Sequence, residues 1–190
     1  MIRIVKLSDI PQLLRIYSYY VLHTAITFEY EVPSEKEFEN RIQNILKRYP
    51  YLVYEENNTI KGYAYASVFK GRKAYDWSVE TTIYVDPDCK GKGIGKKLYI
   101  ELEKYLKKQN ILNVNACISY IEKEDEYLNL NSVHFHEHMG YSMVGQFHQC
   151  GYKFDRWYSM VWMEKFLGNH KIPVQEVIPF LEVFEKEKNL

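Results

Sequence analysis

The stretch Lys90-Gly91-Lys92-Gly93-Ile94-Gly95-Lys96-Lys97 decides the fold, because it joins a β-rich run to a helical pattern. The predicted strand Ser78–Val85 precedes it, and a predicted helix follows with apolar residues at helical spacing, namely Ile94, Leu98, Leu102 and Tyr105. Glycines let a backbone approach an anion closely, and the following helix turns its positive end toward the same point. Four lysines beside a helix N-terminus oppose the helix dipole unless an anion offsets them. The stretch therefore predicts a phosphate-binding loop, with a solvated basic turn as the alternative.

The spacing of the glycines excludes two common phosphate-binding motifs. A Walker A loop has the pattern GxxxxGK[ST], but the residue five before Gly95 is Lys90, and Lys97 stands where Ser or Thr is required. A dinucleotide-binding loop has the pattern GxGxxG, but neither Gly91 nor Gly93 is followed by a glycine five positions later. The loop is therefore of a different kind.

Predicted strands and helices alternate on both sides of this loop. The further predicted strands are residues 2–5, 51–54, 60–69, 113–119, 141–147 and 157–163. The further predicted helices begin near Pro11 and after the capping pair Ser34 and Glu37, and the last covers residues 128–139. Helices inserted between the strands of one sheet predict an α/β (α+β) domain over residues 1–166. Residues 167–190 are predicted to form an amphipathic helical extension that Pro179 interrupts.

Composition and charge narrow the class of protein. The 190 residues carry 25 Lys+Arg and 25 Asp+Glu, so no net positive charge favours nucleic acid or an anionic membrane surface. The chain lacks an apolar run near the twenty residues that a membrane-spanning helix needs. Cys89, Cys117 and Cys150 form no CxxC pair, which argues against a disulfide framework and a cysteine zinc site. We therefore expect one globular domain in the cytoplasm, without nucleic acid or membrane as a partner.

The pattern Lys90-x-x-Gly93-x-Gly95 after a strand resembles motif A of the GNAT superfamily of N-acetyltransferases, with Lys90 in the Arg or Gln position. The resemblance implies a single mixed, mostly antiparallel twisted sheet flanked by helices, and acetyl-CoA as the acetyl donor. It also implies that the loop surrounds the pyrophosphate and that the preceding strand pairs with the pantetheine arm. The cofactor-binding residues implied are Ile83, Tyr84, Val85, Lys90, Gly91, Lys92, Gly93, Ile94, Gly95, Lys96, Asn129 and Ser132.

A second segment extends the resemblance. Residues 129–141 look like motif B of the family, with Asn129 eleven residues before Gly140 and His136 four residues before it. A histidine there is typical of the phosphinothricin acetyltransferase subfamily. Further matches to that subfamily are residues 25–28, 72–77, 151–157 and Glu80. The resemblance covers about residues 1–166.

Acetyl transfer to an amine requires a group that removes a proton, and Glu80 and His136 are the candidate catalytic residues. A charged residue on a predicted strand is unfavourable unless that face lines a cleft, so Glu80 is predicted to be the general base. An exposed Glu80 paired with a lysine is the alternative. His136 titrates near neutrality and can accept or relay the proton, or it is a structural histidine. His134 and His138 have no third metal ligand at a recognisable spacing, so no metal is expected.

The acceptor is less well defined by the sequence. Arg72 is suited to bind a substrate carboxylate, with Lys73 and Tyr75 assisting and Phe28 in the same site. The resemblance then implies small amino acids such as phosphinothricin, methionine sulfoximine or methionine sulfone, and a homodimer. The acidic residues 122–126 leave open a polyamine, an aminoglycoside or a peptide N-terminus. A non-catalytic acyl-CoA sensor is the alternative from a different class.

Overall fold

A computed structural model describes residues 1–188, which form one seven-stranded sheet and five helices. The strands are β1 Ile2–Ile4, β2 Tyr51–Glu56, β3 Thr59–Val68, β4 Ser78–Val85, β5 Asn113–Tyr120, β6 Ser142–Lys153 and β7 Arg156–Phe166. The helices are α1 Ile10–His23, α2 Glu35–Leu46, α3 Ile94–Lys108, α4 Asn131–His138 and α5 Phe180–Lys188. The α/β fold expected from the sequence is confirmed.

The strand order of the sheet is β1-β2-β3-β4-β5-β7-β6. All neighbours are antiparallel except β4 and β5, which are parallel, so the sheet is mixed and mostly antiparallel, as expected. Strand β4 pairs with β3 as far as Val85, but it pairs with β5 only from Ser78 to Glu80. Residues 81–85 of β4 therefore diverge from residues 116–120 of β5, and we call this divergence the splay.

The turns and caps follow from local sequence. The Oγ atom of Ser34 accepts a hydrogen bond from the backbone N–H of Glu37 at 3.2 Å, as the capping pattern predicts. Asn57 and Asn58 have φ angles of 50° and 58°, which Asn tolerates, and they form the tight turn between β2 and β3. These two features fix where α2 begins and how the first hairpin is paired.

The two faces of the sheet have separate hydrophobic cores. Leu52 on β2 packs in the core under α3, whereas its neighbours Tyr51 and Val53 pack in the core under α1 and α2. This alternation is the two-residue period of a strand that is covered on both faces. Helix α3 contributes Leu98 and Leu102, which are completely buried. The sheet is thus held between α3 on one side and α1 with α2 on the other.

The predicted boundaries differ from the structure at the C-terminal end. Strand β6 extends to Lys153 instead of residue 147, because register shifts between Phe147 and Gly151 carry it past the expected end. Pro179 does not interrupt a helix, since α5 begins directly after it; a proline lacks only an N–H that the first turn does not use. Phe180 is completely buried and Val183 nearly so, whereas residues 189 and 190 of the extension lie outside the described residues.

Candidate active site

A cavity of about 700 Å³ lies at the splay. Residues of β4 and β5 line it on both sides of the divergence, and β3, Lys70, α3, α4, β6, β7 and the loop after α1 also contribute to its wall. Thr81 to Tyr84 are paired with β3 along one edge, and beyond Glu80 the other edge of β4 is paired with no strand of the described sheet. The backbone of β4 therefore offers hydrogen-bonding groups to a bound molecule.

Glu80 lines this cavity at the last residue where β4 still pairs with β5. Its side chain is half-buried, and burial raises its pKa, while the nearby charge of Lys70 opposes that shift. Glu80 is half-buried rather than exposed, and no salt bridge joins it to another of the side chains described between residues 1 and 186. A carboxylate with a raised pKa that faces a cavity has the properties of a general base.

His136 is buried, with 3% of its surface exposed, and both ring nitrogens have partners. Nδ1 lies 2.7 Å from the backbone oxygen of Ser132, which can only accept, so Nδ1 carries the proton. Nε2 lies 2.9 Å from the Tyr99 hydroxyl and accepts from it. Burial lowers the pKa of His136 to about 4. The expectation of titration near neutrality is therefore wrong: the ring is neutral, because an imidazolium is poorly solvated there.

Tyr99 on α3 is a cavity-lining residue that the sequence analysis missed. Its hydroxyl lies in a buried polar cluster with His136, Thr81 and Tyr141, in which Thr81 Oγ1 lies 3.1 Å from the Tyr141 hydroxyl and 3.2 Å from the Asn115 carbonyl. Burial raises the pKa of Tyr99 well above its usual value, so the hydroxyl stays protonated. A tyrosine on the apolar face of a helix was the only sequence signal, and it is more often a core residue.

The glycine-rich loop has the backbone shape that its composition predicts. Gly91 and Gly93 have φ angles of 75° and 73°, where a side chain is strained, and Gly93 caps α3 through its carbonyl, which accepts from Lys97 N at 3.1 Å. A Cβ on Gly95 would lie 3.3 Å from Ile83 and 3.2 Å from Phe135. The first turn of α3 is therefore seated directly beside the cavity-lining part of β4.

The predicted cofactor residues fall into two groups. Ile83, Tyr84 and Ser132 line the cavity, whereas loop residues 90–93 and Ile94, Gly95 and Lys96 in the first turn of α3 lie outside its lining. Lys90 Nζ stacks over the rings of Tyr19 and Tyr20 at 5.7 and 5.1 Å, so its side chain is turned toward α1.

Val85 and Asn129 form hydrogen bonds with other residues of the protein. The carbonyl of Val85 accepts from the Tyr20 hydroxyl at 2.5 Å. Asn129 is exposed, and its Oδ1 accepts from the N–H of Asn131 at 3.1 Å, next to the start of α4. Neither residue belongs to the lining of the cavity.

The predicted acceptor residues are not all brought together. Phe28 lines the cavity, but Arg72, Lys73 and Tyr75 are exposed and do not. Lys70 lines the cavity instead, and its Nζ lies 5.3 Å from the centre of the Trp162 ring. Strand β3 ends at Val68, two residues before Lys70. A lysine shortly after the end of a strand was the available signal.

The segment 120–127, which carries the acidic residues that leave a polycationic acceptor open, does not line the cavity. Arg156 donates to Asp125 and to Glu126, each at 2.9 Å. Asp125 also accepts from Tyr158 at 3.1 Å and from two backbone N–H groups. Its carboxylate therefore closes a turn, which a local count of charges does not reveal.

Neither a metal cluster nor a membrane helix is seen in the described part of the chain. Within residues 1–188, no three His, Cys, Asp or Glu side chains are grouped to hold a metal ion. None of the helices in that range has the length and apolar character needed to cross a membrane.

Comparison with known proteins connects this geometry to a family. Residues 2–162 match the model of the acetyltransferase (GNAT) domain. The chain is 32% identical over 166 residues to phosphinothricin N-acetyltransferase of Streptomyces viridochromogenes, which covers 87% of both chains. It is 30% identical to the L-methionine sulfoximine/L-methionine sulfone acetyltransferase of Salmonella typhimurium, over 90% of this chain and 97% of the relative.

A solved structure agrees with the match. The phosphinothricin acetyltransferase of Sinorhizobium meliloti, in complex with acetyl-CoA, superposes with a TM-score of 0.84 at 32% identity, covering 95% of this chain and 96% of that one. The expected family, its fold and acetyl-CoA as the acetyl donor are confirmed. The chain therefore belongs to the GNAT family and is an acetyl-CoA-dependent N-acetyltransferase.

Proposed function

We propose that this enzyme acetylates the primary amine of a small amino acid or analogue of the phosphinothricin, methionine sulfoximine or methionine sulfone type. The observation that carries the proposal is a single cavity that holds Glu80 and Lys70 beside the open edge of β4. The curated relatives named above act on compounds of this kind. An amino acid carries an amine, which matches the carboxylate of Glu80, and a carboxylate, which matches the ammonium of Lys70.

We propose that β4 and the segment that follows it bind acetyl-CoA. The open edge of residues 81–85 offers N–H and C=O groups to the amides of a pantetheine arm. The loop 90–97 offers backbone N–H groups at the start of α3, where the helix dipole favours a pyrophosphate. Acetyl-CoA supplies the activated thioester, and the side chains of this enzyme deliver and remove protons.

Glu80 is proposed to take the proton from the acceptor ammonium, directly or through a water, so that the neutral amine attacks the thioester carbonyl. The new C–N bond replaces the C–S bond, the attacking nitrogen loses its second proton, and the departing thiolate takes up one proton in exchange. Backbone N–H groups of β4 are placed to stabilise the negative charge that develops on the carbonyl oxygen. His136 is neutral and hydrogen-bonded on both sides, so we propose that it holds Tyr99 in position at the cavity wall.

Lys70 is proposed to bind the acceptor carboxylate. It is the cationic side chain in the lining, within residues 1–188, whereas Arg72 lies exposed on the following turn. Arg72, Lys73 and Tyr75 are proposed to act at the entrance, because the Tyr75 ring packs 6.0 Å from Phe69, which in turn packs 5.5 Å from Trp162.

The assembly and location proposed here are a homodimer in the cytoplasm. Strand β6 is an edge strand of the described sheet. Its hairpin with β7 exposes large apolar side chains: Met143, Val144, Phe147, Tyr152 and Trp157. Three free cysteines favour a reducing compartment. Light scattering on the purified protein tests the dimer, and a monomer across a hundredfold range of concentration would contradict it.

The test is a free-thiol release assay with acetyl-CoA and a panel of acceptors: phosphinothricin, methionine sulfoximine, methionine sulfone, spermidine, an aminoglycoside and a short peptide. Release with at least one of the three amino-acid analogues is expected, and Glu80→Gln protein is the matched control for enzyme-dependent release. Release with the polycations alone would overturn the acceptor class. Silence with all three analogues together with tight acetyl-CoA binding would also overturn the acceptor class.

A further inference from the structure

The ring of Phe28 lies directly on the backbone of Gly151. A Cβ built at Gly151 would come within 2.7 Å of three carbon atoms of that ring, closer than real side chains approach. Gly151 is buried on β6 opposite Tyr158 of β7, and the Tyr158 ring centre lies 6.4 Å from that of Phe28. Phe28 is therefore bounded by Gly151 and Tyr158, and the cavity lies on its open side.

Hydrogen bonds from Lys153 fix the backbone next to Phe28. This buried lysine donates from Nζ to the carbonyl oxygens of Val21, Thr24 and Thr27 at 2.8, 2.9 and 2.8 Å. Burial lowers the pKa of Lys153 to about 8, so at neutral pH it is still an ammonium whose three N–H bonds match the three carbonyls. The Lys153 side chain thus provides hydrogen-bond donors for carbonyl groups at the end of α1 and in the loop after it.

Two further contacts hold the same loop. Ser119 Oγ donates to the carbonyl of Ile26 at 3.1 Å, and the N–H of Ala25 donates to the carbonyl of Tyr127 at 3.0 Å. The loop backbone on both sides of residue 26 is therefore tied to β5, β6 and the segment before α4. An atom added at residue 151 displaces the Phe28 ring more readily than it displaces the backbone.

We propose that Gly151 is a specificity-determining residue: the absence of a side chain there lets Phe28 lie back against β6, and this sets the length of acceptor that the cavity admits. Lys153 is the positioning residue that keeps the Phe28 backbone in place. The inference rests on the proposed function, because it takes this cavity as the acceptor site. Discrimination of one methylene in a pocket amounts to about 10- to 200-fold in kcat/KM, which is the scale to expect.

The experiment uses Gly151→Ala, Phe28→Leu and the double variant with three acceptors that differ by one methylene: S-methylcysteine sulfone, methionine sulfone and ethionine sulfone. Gly151→Ala should lower kcat/KM about tenfold more for the longest acceptor than for the shortest, since the Phe28 ring moves into the cavity. Phe28→Leu in the double variant should restore the order of the wild type. The KM for acetyl-CoA should stay within about twofold, as β4 and the loop 90–97 are untouched.

The matched control is Gly145→Ala, on the same strand but with open space around its Cβ position, and it should leave the three values unchanged. Equal losses for all three acceptors in Gly151→Ala, or no restoration by Phe28→Leu, would overturn the inference. If Gly151→Ala fails to fold, Phe28→Leu alone decides, because it must shift preference toward ethionine sulfone. A wild-type enzyme that acetylates none of the three sulfones but does acetylate spermidine would instead overturn the proposed acceptor class.

Discussion

The two halves of the active site are built in different ways. The cofactor half is one continuous segment, from β4 through the loop 90–97 into α3. The acceptor half joins Phe28, Lys70 and residues of β6 and β7. The hydrogen bond from Lys153 Nζ to the Thr27 carbonyl, which holds the backbone beside Phe28, links residues that are 126 positions apart. The first half offers backbone groups whose conformation depends on glycines. The second half offers side chains whose positions depend on how the strands pair. A local motif therefore identifies the first half, whereas the second depends on the whole fold.

The largest expected effect lies where the two halves meet, at Glu80. Replacing it in Glu80→Gln removes the proton acceptor while keeping the size of the side chain, so kcat should fall by about 10²- to 10⁴-fold at neutral pH. Acetyl-CoA affinity, measured by calorimetry, should not change. A loss of acetyl-CoA binding in the folded variant would show that Glu80 belongs to the cofactor half instead.

The pH dependence gives the same residue an independent signature. Burial raises the pKa of Glu80, so wild-type kcat/KM should fall as the pH drops through a value above the ordinary 4.5 of a glutamate. The folded state holds this proton more tightly than the unfolded state, so stability from this group is lost as the pH rises through that raised value. Glu80→Gln should lack the acidic limb and unfold at an equal or higher temperature at pH 7. An identical limb in the variant would assign it to another group.

The next largest effect tests whether the cofactor half works through its backbone. Gly93→Val places a branched side chain at a φ of 73°, where it is strained and displaces the loop. Loss of one charge-assisted hydrogen bond to the pyrophosphate costs about 1.5–3 kcal/mol, so the KM for acetyl-CoA should rise about tenfold or more. Selectivity among acceptors should be retained, and a change in it would contradict the independence of the two halves.

Lys70 tests the acceptor half with a smaller effect. Lys70→Met keeps the length of the side chain but removes its charge, so the acceptor KM should rise about tenfold, as expected for a lost charged hydrogen bond of about 1.5 kcal/mol. Arg72→Met is the matched comparison and should change the acceptor KM less, because Arg72 does not line the cavity. The reverse order in steady-state kinetics would return the carboxylate to Arg72.

The last expected effect is on stability rather than on catalysis, and it concerns the polar cluster behind both halves. Tyr99→Phe removes the donor to His136 Nε2 and leaves a buried acceptor unsatisfied, which costs about 1–3 kcal/mol of unfolding free energy. Urea denaturation measures it. Tyr141→Phe is the comparison, since the Tyr141 hydroxyl is hydrogen-bonded to Thr81 and not to His136, and the substitution keeps the edge-on packing of the Tyr141 and His136 rings at 5.1 Å. A larger loss in Tyr141→Phe would place the centre of the cluster at Thr81.

The same contrast explains what the sequence predicted and what it did not. The loop 90–97, the capping pair at Ser34 and the succession of strands and helices along the chain depend on residues close in sequence, so local patterns identified them. Lys70 was missed in favour of Arg72, because which residue faces the cavity depends on where β3 ends. The pKa of His136 was misjudged because burial, rather than residue type, sets it.

The splay has a consequence for amide hydrogen exchange. Residues 81–85 of β4 form their hydrogen-bonded ladder with β3 on one edge only, and successive N–H groups of a strand point to alternate edges. Every second amide of this segment is therefore shielded by the sheet, and the ones between them exchange with water from the cavity. The amides of this segment should therefore alternate between fast and slow exchange. A bound pantetheine arm that pairs with the open edge should remove the alternation, because it slows only the amides that exchange fast.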